Sequence, residues 1–212
     1  MASVIKKRTV APKFRRRAEA RPDEILDAAL AVFTEKGFDA ARVDDIAGRA
    51  GLSKGAIYLY FDSKEALLRG LIDREVAPAA QRLKALAEAG GADAKATLKL
   101  LVTVATQLFN DARMFATPKL VISVAPRFRE IAEFYRKRVI DEAIGAIAAL
   151  HRKGVQSGAF READSDTVAR MVMGPIVVHA MRKHVLGAKD KAPPLARAEA
   201  HLDILFEGLV KK

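Results

Sequence analysis

Val43-Asp44-Asp45-Ile46-Ala47-Gly48-Arg49-Ala50-Gly51-Leu52-Ser53-Lys54-Gly55-Ala56-Ile57-Tyr58-Leu59-Tyr60-Phe61 reads as two short helices that meet at Gly51-Leu52-Ser53. Glycine suits the left-handed turn at 51, Leu52 plugs the angle between the helices, and the Ser53 hydroxyl caps the next one. Ile46, Ala47, Ala50, Leu52 and Ile57 then close a small core against Phe33 of a preceding helix. In a unit of this kind the second helix enters the major groove of DNA. Its outward residue types fit that task. Lys54 and Gly55 occupy a first turn whose bare amides favour phosphate. Tyr58 and Tyr60 offer hydroxyls and ring faces, Ala56 is small enough to meet a base edge, and Lys64 is within reach of the flanking backbone.

Working outward, apolar residues recur at spacings of three and four, and period-two alternation is scarce. The chain is therefore expected to be all-α, with about nine helices. The first starts near Pro22, followed by the acidic pair Asp23-Glu24, and stops at Gly37. Helices follow at about 43–50 and 54–60. Ser63 caps a fourth that runs towards Ala89, with a kink at Pro78. Gly90-Gly91 precedes a second group near 94–112, 118–125, 127–156, 165–186 and 195–210, with Thr117-Pro118 opening the second of these and Pro175 bending the fourth. Domains are expected at 22–70 and 71–212, preceded by a basic flexible arm, 1–21.

The 212 residues are half hydrophobic, ample for a buried core. Cysteine is absent, which excludes disulfide scaffolds, thiolate zinc sites and cysteine nucleophiles. The longest apolar stretches, such as Leu100–Ala105 and Met171–Val178, are too short to span a bilayer, and no apolar segment of signal-peptide type follows the basic N-terminus. A cytoplasmic protein without membrane contact is expected. Net charge is +11, unevenly placed. Lys6, Lys7, Arg8, Lys13, Arg15, Arg16, Arg17 and Arg21 stand against Glu19 alone, whereas residues 22–62 hold four cations and eight carboxylates. The arm is thus either a solvated tail or the main electrostatic attraction for nucleic acid.

His151, His179, His184 and His201 show no metal-ligand spacing, and no nucleophile elbow, phosphate loop or dinucleotide fingerprint occurs, so neither a metal, a cofactor nor an enzymatic activity is expected. Thr103, Thr106, Gln107, Phe109, Asn110, Met114, Phe115, Phe128, Tyr135, Met171 and His179 mix aromatic, flexible and lightly polar side chains on helices that should pack together. The mixture fits a ligand pocket, and equally an ordinary helical core. Leu195, Ala198, Leu202, Leu205, Phe206 and Leu209, with Val168, Met171, Val172, Pro175 and His179, form stripes suited to an isologous four-helix dimer interface.

Gly37-Phe38-Asp39-Ala40, Asp45-Ile46-Ala47, Ala50 to Phe61 and Ser63-Lys64-Glu65-Ala66-Leu67 resemble the DNA-binding domain of the tetracycline-repressor (TetR) family. The stretch from Ala125-Pro126-Arg127-Phe128 to Gly158-Ala159-Phe160 is similar to the regulatory domain of one branch of it. The resemblance implies a homodimeric repressor on a palindromic double-stranded operator. It also implies a small-molecule effector in the C-terminal helices that moves the fourth helix and so changes the spacing of two recognition helices. By position it assigns DNA contacts to Lys54, Gly55, Ala56, Tyr58, Tyr60 and Lys64. Where the family commonly has a Thr or Ser pair, Ala41-Arg42 stands here, and Arg42 is expected to supply the contact as a charge. The alternative is a ligand-independent dimeric or architectural DNA-binding protein. A cavity of about 300 Å³ or more in the C-terminal domain would favour the first expectation, a solid core the second.

Overall fold

A computed structural model describes the backbone of residues 13–89 and 93–209 and the side chains of 21–89 and 93–208. Gly90-Gly91, the side chain of Leu209 and most of the basic arm lie outside these. Among the described residues there are nine helices and no β-strand: α1 (Lys13–Lys36), α2 (Val43–Ala50), α3 (Lys54–Tyr58), α4 (64–89), α5 (Ala94–Asn110), α6 (Ala112–Val124), α7 (129–156), α8 (Ser165–His184) and α9 (Pro194–Leu209). The chain divides into two compact units, Met1–Leu67 and Leu68–Lys212.

In the first unit, α1 begins at Lys13 instead of near Pro22, so part of the expected flexible arm has a helical backbone. Arg15 to Arg21 are all strong helix formers and carry the helix past Pro22, although an interior proline both loses an N–H bond and crowds the carbonyl four residues back. Gly37 ends the helix at φ +76°. Phe33 and Phe38 are buried with ring centroids 5.1 Å apart, and Ile46, Ala47 and Ile57 are buried too. Ala50 and Leu52 are only half-buried. Outside this core, Arg49 grips Glu35 through two bonds of 2.6 and 2.7 Å, and Lys36 lies 2.8 Å from Asp45, tying α2 to α1.

In the second unit, Leu98, Leu101 and Val102 of α5, Ile147 and Leu150 of α7, Val168, Val172 and Ile176 of α8, and Ala198, Leu202 and Leu205 of α9 form one core with Phe160. Two expectations are corrected by this packing. First, α6 does not open at Thr117-Pro118: it opens at Ala112, where the Asp111 carboxylate accepts from the Arg113 amide at 2.8 Å, and Thr117 and Pro118 lie buried within it. An aspartate cap six residues earlier outweighs the proline signal. Second, Val168, Val172, Ala198, Leu202 and Leu205 belong to the internal core, so these five of the eleven residues of the expected dimer stripe are not available to a partner.

Pro78 is accommodated by a π turn, Ile72–Val76, directly before the segment Ala77–Ala89. The wider turn separates the proline ring from the carbonyl it would otherwise meet. A second π turn, Arg136–Ile140, interrupts α7, and Arg138 of that turn is 2.7 Å from Asp73 of the first. α8 continues through Pro175 from Ser165 to His184, capped by Asp164, whose side chain accepts from the Thr167 amide.

Candidate functional site

The geometry at residues 43–61 follows from two local decisions. Gly51 adopts φ +66°, ψ +33°, a conformation that strains any residue with a Cβ, and this turns the chain so that Leu52 donates its amide to Ala47 at 2.9 Å. Ser53 then caps α3, its hydroxyl accepting from the Ala56 amide at 3.2 Å. Ile57 points inward and is fully buried, which leaves Lys54, Gly55, Tyr58, Leu59 and Tyr60 exposed and Ala56 half-exposed. The helix proper ends at Tyr58, earlier than the expected residue 60, because the Tyr60 and Phe61 amides both turn back to the Ile57 carbonyl at 3.0 Å. Leu59 is 82% exposed. The expected contacts omit it, although an apolar side chain between two tyrosines was visible in the sequence and can meet a thymine methyl.

Lys54 lies 2.9 Å from Asp44, with both side chains half-exposed. The pair is solvated and exchangeable for a phosphate. Arg42 is exposed at the start of α2, where its side chain makes no cap; instead its backbone amide donates to Asp45 Oδ2 at 3.1 Å. The guanidinium is therefore not held by the cap it sits on. Lys64 has a role the sequence did not suggest. Its ammonium donates to the carbonyls of Phe38, Asp39 and Ala41 at 2.8, 3.1 and 2.9 Å and sits 4.8 Å from the Phe38 ring centre. An ammonium has three donors, and here all three close the α1–α2 turn. In the free chain the ammonium is thus engaged at the turn, where the expectation placed it on a phosphate.

In the second unit, α5, α8 and α9 enclose a half-open cavity of about 150 Å³ lined by Thr106, Phe109, Asn110, Pro175, Ile176, His179, Arg197 and His201. Phe109 and His179 were expected at such a site, as were Thr106 and Asn110. The others are dispersed. Thr103 bonds the Lys99 carbonyl, Gln107 is exposed, Met114, Phe128 and Tyr135 are half-buried elsewhere, and Met171 is 60% exposed. Burial pushes the Tyr135 phenol up to about 12. Arg197 and His201 escaped notice because they come from α9, far along the chain. A larger space of about 350 Å³ beside Lys95, Lys99, Leu202 and Phe206 is a surface groove with mostly exposed lining.

Asp190 anchors the polar side of the cavity, 2.7 Å from His179 Nε2, 3.4 Å from Lys183 and 3.3 Å from Arg197. Burial holds the His179 imidazole below its ordinary 6.5, helped by the Arg197 charge and opposed by Asp190. His151 and His201 are likewise held down by burial. All three have the same linkage sign. The folded state binds fewer protons than the unfolded one, so their contribution is complete above 6.5 and is lost as pH falls through that value towards the depressed folded ones. The melting temperature is therefore expected to fall as pH is lowered from about 7.5 to about 5, above the usual carboxylate range. A flat or rising melting curve across that interval at fixed ionic strength would contradict it.

A capped, exposed short helix held by a left-handed turn on a small buried core defines a helix-turn-helix DNA-binding protein. Comparison with known proteins narrows the class. Residues 25–71 match the family described as bacterial regulatory proteins, tetR family, and residues 96–204 match the AefR-like transcriptional repressor C-terminal domain. The regulator YdeS of Bacillus subtilis is 33% identical over 165 residues, 76% of this chain and 79% of that protein. YerO of the same organism is 30% identical over 118 residues, 55% of this chain, and the chain spans only 41% of its length. The structure of the transcriptional regulator FadR from Bacillus subtilis, in complex with stearoyl-CoA, superposes with a TM-score of 0.69 at 25% identity, covering 88% of this chain and 98% of that one. The chain belongs to the TetR family of DNA-binding transcriptional regulators. Among the described residues, no helix is long and apolar enough to cross a membrane, and no group of three or more His, Asp or Glu could hold a metal ion.

Proposed function

We propose that the chain is a dimeric repressor that leaves a palindromic operator when a small molecule binds its C-terminal unit, with the domain boundary close to Leu67-Leu68. The observation that carries the DNA half is the exposure of Lys54, Gly55, Tyr58, Leu59 and Tyr60 around a fully buried Ile57. Arg42 and Ala56 complete the contact set, and Lys64 fixes the turn behind it. The effector half is supported by the cavity between α5, α8 and α9 and by the FadR complex with stearoyl-CoA. A long-chain acyl-CoA does not transfer to this chain on size, since about 150 Å³ holds far less. The same small size favours the ligand-independent alternative. Selection of an operator from random duplexes, followed by transcription from a promoter that carries it, separates the two: repression relieved by a small molecule supports the proposal, and repression indifferent to every effector supports the alternative.

For the dimer, the outward residues of α8 and α9 keep Met171 and Pro175 of the expected stripe and add Val178 and Ile204. Met171, Pro175 and Val178 share one exposed face of α8, and Ile204 of α9 is 73% exposed. An apolar row of this kind suits a second copy of itself. Met171→Glu with Ile204→Glu should yield folded monomers in light scattering, because neither side chain belongs to the core. A folded dimer of unchanged mass would refute this placement. Charges at Leu205, by contrast, should unfold the unit.

A further inference from the structure

The size and charge of the cavity between α5, α8 and α9 narrow what it can hold. A space of roughly 150 Å³ accepts one benzene-sized ring; pockets for drug-sized molecules are larger, about 300–1,000 Å³. Phe109, Pro175 and Ile176 give the lining an apolar part, with Ile176 buried and Pro175 exposed. The polar part of the lining is cationic. Lys183 and Arg197 share the single carboxylate of Asp190, and both also reach the Asn110 side-chain oxygen, at 2.7 and 3.3 Å. Two fixed positive charges therefore meet one negative charge before either imidazole is counted. A guanidinium beside an incompletely neutralised cluster favours a planar carboxylate.

We propose that this cavity binds a single-ring carboxylic acid of about the size of benzoate, its ring against Phe109, Pro175 and Ile176 and its carboxylate at Arg197. The proposal rests on the ligand-responsive reading above and assigns that reading a chemical class. It sets shape through the apolar part of the lining and charge through the cluster, so the neutral isostere benzamide should fit the apolar part and miss the charge. Pro175 shares its helix face with Met171 and Val178, so the site is best tested in the full-length protein at its native association state.

Isothermal titration calorimetry with benzoate and benzamide, in the absence of DNA, is the test. Benzoate is expected to bind at least roughly tenfold more tightly than benzamide. Arg197→Gln should bring benzoate down to the benzamide level, with the far-ultraviolet circular dichroism unchanged. Absence of benzoate binding up to roughly 10 mM, or equal affinity for the two compounds, overturns the proposal. The wild-type comparison stands alone if the variant misfolds. Operator affinity of the same preparation is measured in parallel by fluorescence anisotropy. Intact operator binding without benzoate binding overturns the ligand class and leaves the repressor reading in place.

Discussion

Tyr58→Ala is expected to weaken operator binding by roughly five- to a hundredfold, the effect of losing one good base or backbone contact, while thermal melting stays close to wild type. The side chain lies on the exposed face of α3, and its neighbour Ile57 carries the packing, so truncation removes contact surface without opening the core. Lys54→Ala should also weaken binding, but almost equally on operator and random duplex, because an exchangeable ion pair with Asp44 in the free chain points to a phosphate partner. Leu59→Ala, if Leu59 meets a thymine methyl, should relax preference at one base pair more than it lowers overall affinity. Lys64→Ala provides the contrast. Three carbonyls at the α1–α2 turn lose their donor, so melting should fall, and any loss of DNA affinity should track the loss of folded protein. Anisotropy titrations on operator and random duplex, paired with melting curves, check all four. If Tyr58→Ala leaves operator affinity unchanged in a folded protein, the assignment of α3 as the recognition element fails. If Lys64→Ala weakens DNA binding with no loss of stability, the ammonium contacts phosphate after all.

The contrast between Tyr58 and Lys64 also marks where sequence was enough. The turn at Gly51, the cap at Ser53 and the inward Ile57 are decided by residues within one or two helical turns, and spacing alone displays them. Lys64 depends on carbonyls more than twenty residues away in the chain, and no local pattern distinguishes a lysine that binds phosphate from one that closes a distant turn. The same division explains α9. Its row of apolar residues at three- and four-residue spacing was plain, but whether Leu202 and Leu205 face their own core or another copy is a question about α5, not about α9. At α6 two local signals competed, and the Asp111 cap prevailed over Thr117-Pro118. The cavity was the least legible feature, since Phe109, His179, Arg197 and His201 are contributed by three helices and each, taken singly, resembles an ordinary core or surface residue.

Removing the positive charge that precedes the helix-turn-helix is expected to flatten the salt dependence of DNA binding. Residues 22–62 hold four cations and eight carboxylates, so the recognition unit by itself repels DNA at long range, whereas residues 1–21 carry eight cations against Glu19. Truncation at residue 20 is a poor test, because α1 begins at Lys13 and would lose its first two turns. Replacing Lys6, Lys7, Arg8, Arg15, Arg16 and Arg17 with Gln is a better one, since glutamine is nearly as good a helix former as arginine and lysine. Each phosphate neutralised contributes roughly −0.9 to the slope of log affinity against log salt. If half of these six cations engage DNA, the slope changes by roughly 2.7 per protomer, and between 50 and 200 mM salt that amounts to roughly a fortyfold difference in affinity. The preferred operator should not change, because bases are read by α3 while the cations meet a backbone that is the same for every sequence. Affinities measured at several salt concentrations, on operator and on random duplex, check both halves. An unchanged slope would make the basic segment a solvated tail. A lost sequence preference would show that it reads bases in the minor groove, where inserted arginines respond to groove width as well as to charge.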